Sequence, residues 1–157
     1  MTLTDYQRFY IDLVVTVLGP AVKREAHIDV KLGKDPARQA ELENQKNGLV
    51  VLALVALIEE SFLTKGQMRA LRTFSACPPS LPAGINPDHL SGFIYIRDCV
   101  GHNALPRLLP AGTNTAAFQN AVASGNFPWA TLIGDDIVIA DLEELHKIVL
   151  RLFGQTV

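Results

Sequence analysis

The chain has 157 residues, 48% hydrophobic and 19% charged, which suits one domain with its own core and is too apolar for a disordered chain. A formal charge of -2 gives no general attraction to nucleic acid or anionic membrane, so any site for a polyanion has to be local. Cys77 and Cys99 are the only cysteines and form no CxxC, which argues against a disulfide framework or a structural metal site and points to reducing cytoplasm.

Leu3, Tyr6, Phe9, Tyr10, Leu13, Val14, Val17 and Leu18 recur at helical spacing, and Gly19-Pro20 supplies the stop. Asp5, Arg8 and Asp12 within that stretch break any signal-peptide apolar region. A long second helix is expected from about Pro36 to Thr64, opened by Asp35-Pro36 and interrupted at most by Asn47-Gly48. Its first half is polar and its second half, GLVVLALVALI, is apolar nearly all round, so the second half should be central. Those eleven residues are too few to span a bilayer, and no membrane association is expected. Glu59-Glu60 ends the run. Adjacent helical side chains point about 100° apart, so one of the two can face inward.

QMRALRTFSA reads as a short third helix, with Arg69 and Arg72 on one face, where they could meet a phosphate or simply be solvated. CPPSLPAGINPD is a loop. Asp88 is the expected N-cap of a helix running through HLSGFIYIRDCVGHNAL to Pro106. Thr113 or Asn114 should cap a short helix, TAAFQNAVAS, that closes at Gly125. ATLIGDDIVIA predicts a hairpin around Gly134-Asp135-Asp136, and Asp141 with Glu144 predicts a capping box for a last helix that ends at Gly154. The expected fold is a single mainly α domain over 1–157: a helical bundle with a small C-terminal β-hairpin and a final helix.

GxGxxG, P-loop, GxSxG and HExxH patterns are all missing. His27, His89 and His146 fall in different elements and read as surface or half-buried residues rather than ligands, and no cofactor is implied. The stretch that invites chemistry is FIYIRDCVGHN. Asp98 and His102, four apart, stack on one helical face, where the carboxylate could orient the imidazole. Arg97 and His102, five apart, lie about 140° around an ideal helix and converge only through arginine's reach or a local departure, for which Gly101 offers a place. Spacing alone favours the plainer reading: a helix that buries Phe93, Ile96 and Val100 and wets Arg97, Asp98 and His102. The charge distribution adds something, since 61–134 carries five bases (Lys65, Arg69, Arg72, Arg97, Arg107) against two acids (Asp88, Asp98).

RDCVGHN resembles the R-x4-6-H signature of the HEPN superfamily (higher eukaryotes and prokaryotes nucleotide-binding domain), with Arg97, Asp98 and His102 on its arginine, polar and histidine positions. The resemblance covers seven residues in motif and roughly 40–153 in architecture. It implies a helical bundle that carries the motif on a late core helix, and a metal-independent endoribonuclease in which the RNA 2′-hydroxyl attacks the adjacent phosphate. Arg97 would hold phosphate oxygens, His102 would exchange the proton and Asp98 would position it. Asn103, Arg107, Arg69 and Arg72 would contact RNA. One motif histidine per chain then implies a homodimer that pairs two copies of the motif in one cleft. A toxin or phage-defence role and an antitoxin or other regulatory partner also go with the family. The tyrosine that some members carry two residues after the histidine, a target of antitoxin modification, is Ala104 here. The alternative is a non-catalytic helical dimer that binds nucleotide, RNA or a protein partner.

Overall fold

The structure, a computed structural model, describes residues 35–75 and 81–154; the helix expected over Leu3–Leu18, His27 and Cys77 lie outside the described residues. The first described helix, α1 (Pro36–Phe62), begins as its sequence demands: proline occupies its first position, and the Asp35 carboxylate accepts from the Ala37 N–H at 2.9 Å. It passes Asn47-Gly48 without a break. Gly48 is buried there because α1 approaches a neighbouring helix closely, and a Cβ on it would lie 3.1 Å from Val100 Cγ2.

The second helix, α2 (Lys65–Arg72), starts and stops earlier than its apolar spacing suggested. The start is set by a reciprocal capping box: Thr64 Oγ1 accepts from the Gln67 N–H at 3.1 Å, and the Gln67 side chain accepts from the Thr64 N–H at 2.8 Å. Phe74, at φ +54°, turns the chain away after it.

The third helix, α3 (Pro87–Asn103), is the axis of the fold. Its N-cap is Asn86 rather than Asp88: the Asn86 side chain accepts from the Asp88 and His89 N–H groups. Asp88 instead lies in the first turn, where a negative charge complements the helix dipole. Every residue from Leu90 to Ile96 is buried, together with Cys99 and Val100, and α3 packs against all of the other described helices. The apolar second half of α1 is central as predicted, since it holds all the buried residues of that helix from Gly48 to Ile58, and it shares the core with α3, leaving Leu49 42% exposed.

The next helix, α4 (Thr113–Ser124), follows Gly112, and no side chain caps it, contrary to the expectation for Thr113 or Asn114. It closes at Gly125, at φ +80°, as predicted. Phe127, just after it, fits beneath α3 only because residue 92 is glycine: a Cβ there would lie 2.2 Å from the Phe127 ring.

Strands β1 (Ala130–Ile133) and β2 (Asp136–Ile139) form an antiparallel hairpin with Ile133 opposite Asp136, so Gly134 and Asp135 make the turn. Ile137 and Ile139 face the core. The Asn44 amide fastens the free edge of β2, donating to the Ile137 carbonyl at 2.8 Å and accepting from the Ile139 N–H at 2.9 Å. The last helix, α5 (Glu143–Leu152), leads to Gly154 at φ +76°. Its expected capping box is absent. Asp141 accepts from the Glu143 N–H, while Glu144 turns to His89 at 3.2 Å and Arg151 at 3.8 Å. The fold is the mainly helical domain with a two-stranded hairpin and final helix that the sequence predicts. Among the described residues, no helix is long and apolar enough to cross a membrane.

Candidate functional site

The last two turns of α3 carry the RDCVGHN residues, and the backbone stays helical through all of them, Gly101 included. The chain leaves the helix at Ala104, which takes the left-handed conformation at φ +60°. Arg97 is held inward. Its side chain is 11% exposed; Nη1 donates to Glu59 Oε2 at 2.6 Å and Nε to Asp98 Oδ1 at 2.8 Å. The third nitrogen, Nη2, is buried with no hydrogen-bond partner among the described residues. Asp98 is shared, because its other oxygen accepts from Arg72 Nε at 3.1 Å. Four side chains from α1, α2 and α3 thus form one chain of alternating charge: Glu59, Arg97, Asp98, Arg72.

This arrangement answers which of Glu59 and Glu60 faces inward: Glu59 meets the guanidinium and Glu60 is exposed. It also changes the role expected of Asp98. With its oxygens on Arg97 and Arg72, the carboxylate positions the arginines, and it makes no bond to His102. His102 is exposed and has no hydrogen-bond or ion-pair partner among the described residues. Arg97 and His102 are therefore successive features of one helix rather than a contacting pair, one clamped and one free.

Beside the charge chain lies a groove of about 650 Å³, lined by Glu59, Leu63, Lys65, Met68, Arg69, Arg72, Thr73 and Asn114. Arg69 and Arg72, predicted from their shared face, line it together. Lys65 was missed as a site residue, since its meaning depends on a helix start set at Thr64. Asn103 and Arg107 are engaged elsewhere: Asn103 donates to the Arg107 carbonyl at 2.9 Å, and the Arg107 guanidinium pairs with Asp136 of the hairpin at 3.1 Å. They tie the end of α3 to β2.

The remaining histidines do not converge on this site. His89 bonds Glu144 and packs edge-on against Trp129. His146 lines a separate cavity of about 880 Å³ among α1, β2 and α5, and burial holds its imidazole below the ordinary histidine pKa. Cys99 is buried, and desolvation pushes its thiol up to about 11, which unsuits it as a nucleophile. Comparison with models of protein families, with curated proteins and with solved structures found no match to this chain.

Proposed function

We propose that the chain is a metal-independent endoribonuclease of the HEPN kind, working in the cytoplasm as a homodimer with Arg97 and His102 of both copies around one phosphodiester. One observation carries this reading: a guanidinium fixed by two carboxylates is followed, five residues along the same helix, by an exposed imidazole that no other described side chain occupies. A fixed cation suits an enzyme that must stabilise charge building on phosphorus without reorganising. An exposed imidazole is open to exchange a proton with a bound substrate.

In the reaction, His102 takes the proton of the RNA 2′-hydroxyl as its oxygen attacks phosphorus. The bond to the 5′-oxygen breaks, that oxygen receives a proton from His102 of the partner subunit, and a 2′,3′-cyclic phosphate remains. The outer side of α1, where Leu49 is exposed and Leu52 lies 3.9 Å from the position of a Gly101 Cβ, gives two copies apolar surface beside this helix end. Restraint by an antitoxin or another regulatory protein, and a toxin or defence role, accompany the same reading.

A non-catalytic module that binds nucleotide, RNA or protein is the second reading. Neutralisation of Arg97 by Glu59 and Asp98 favours it, since a paired arginine attracts phosphate less. The deciding experiment incubates purified protein with single-stranded RNA in excess EDTA. His102→Ala should slow cleavage by about 10²–10⁴-fold. Because His102 is exposed and has no hydrogen-bond or ion-pair partner among the described residues, an unchanged circular dichroism spectrum should accompany that loss. RNA cleaved by His102→Ala at the wild-type rate would end the ribonuclease reading.

A further inference from the structure

Lys65 stands at the first position of α2, where the helix dipole disfavours a cation, and four residues before Arg69, where like charges repel across one turn. Arg72, one turn further, adds a third positive charge on an eight-residue helix that contains no acid. Arg72 is answered by Asp98, and the more deeply held Arg97 by Glu59. Lys65 and Arg69 are exposed and meet no carboxylate among the described residues. Counting the groove wall with the chain behind it, four cations (Lys65, Arg69, Arg72, Arg97) face two carboxylates (Glu59, Asp98), which leaves two positive charges.

We infer that the groove between the end of α1, α2 and the start of α4 binds a small organic phosphate monoester. A monoester carries about -1.5 to -2 at neutral pH and matches the surplus of two, whereas each internal phosphodiester of a nucleic acid carries a single charge. The volume of about 650 Å³ lies in the range of small-ligand sites. Leu63 and Met68 supply apolar lining for the body of the ligand, and the Asn114 amide and Thr73 hydroxyl offer neutral polar contacts. Lys65 and Arg69 grip the phosphate. Arg72 is shared between ligand and Asp98, so occupancy is felt one residue away by Arg97. The site goes beyond the ribonuclease reading and stands whether or not RNA is cut.

The test is isothermal titration calorimetry on the full chain with inorganic phosphate, adenosine 5′-monophosphate, glucose 6-phosphate and unphosphorylated adenosine. At least one of the two organic monoesters should bind, and adenosine should not. Arg69→Glu and Lys65→Glu should each weaken binding by at least about tenfold with an unchanged circular dichroism spectrum, both side chains being exposed and unpaired among the described residues. Lowering the pH from about 7.5 to about 5 should weaken it as well, since the second acid group of a monoester titrates near 6. Silence from both organic monoesters at millimolar concentration overturns the site, as does binding that Arg69→Glu leaves intact. Binding of inorganic phosphate alone overturns the organic-ligand assignment, and binding only of oligoribonucleotides without a terminal phosphate returns Arg69 and Arg72 to an RNA track. Since the readout is heat of binding, an RNA-cleavage failure is seen separately.

Discussion

Two glycines of α3, nine residues apart, make opposite demands. Gly92 faces the Phe127 ring at a distance no Cβ tolerates, while Gly101 is exposed and its nearest neighbour, Leu52 Cδ1, would lie 3.9 Å from a Cβ. Gly92→Ala must push an aromatic ring out of a packed core and should cost at least about 1–3 kcal/mol. Gly101→Ala only removes backbone freedom from a helical residue and should stabilise by up to about 0.5–1 kcal/mol. Urea unfolding of both variants checks the pair; a stabilised Gly92→Ala would contradict the packing at Phe127. In the sequence Gly101 stands out as a place where the helix could depart from ideality and Gly92 does not, since whether a glycine is needed depends on what lies across from it.

At the scale of elements, the hairpin depends on a residue almost a hundred positions away. Asn44 of α1 satisfies both a donor and an acceptor of β2, as another strand would. Asn44→Ala leaves the Ile137 carbonyl and the Ile139 N–H without that partner and should cost about 1–3 kcal/mol. The Ile139 amide should then exchange its hydrogen faster, whereas those in the centre of α3 should follow global unfolding. Unaltered exchange at Ile139 would show that the edge is held by something else. Helix ends divide along the same line. Asp35-Pro36, Gly125 and the Gly134-Asp135 turn were legible because each signal acts within a few residues. Asp141 and Glu144 have the spacing of a capping box, yet Glu144 is claimed by His89 of α3, with Arg151 of its own helix 3.8 Å away, so tertiary contact overrode the local motif.

For the whole molecule, the candidate chemistry is divided between a clamped arginine and a free histidine, and a second copy is what would bring two sets together. If the proposed cleft is composite, RNA-cleaving activity per chain should fall on dilution through the dissociation range and recover on concentration. Sedimentation velocity at the same concentrations should show the change from dimer to monomer. Constant specific activity alongside a dissociating dimer would place the whole site within one chain. The same division made the site half legible: RDCVGHN stood out as local polar chemistry at the end of an apolar helix, but nothing nearby in sequence showed that Glu59 and Arg72 would occupy Arg97 and Asp98.

The amino-acid order by itself determined the helical class, the hairpin, the Asp35-Pro36 start of α1, the glycine stops at Gly125 and Gly154, and the segment that carries the charged motif. These follow from periodicity, capping and turn chemistry, which act over a turn or two of chain. Only the tertiary structure decided that α3 is the axis, that Glu59 turns inward, that Asp98 serves the arginines rather than His102, and that Lys65 joins Arg69 and Arg72 around a groove. Each of those outcomes depends on charges and side-chain volumes brought together from distant positions, and a charge selects its partner by distance in space, which the order of residues does not encode locally.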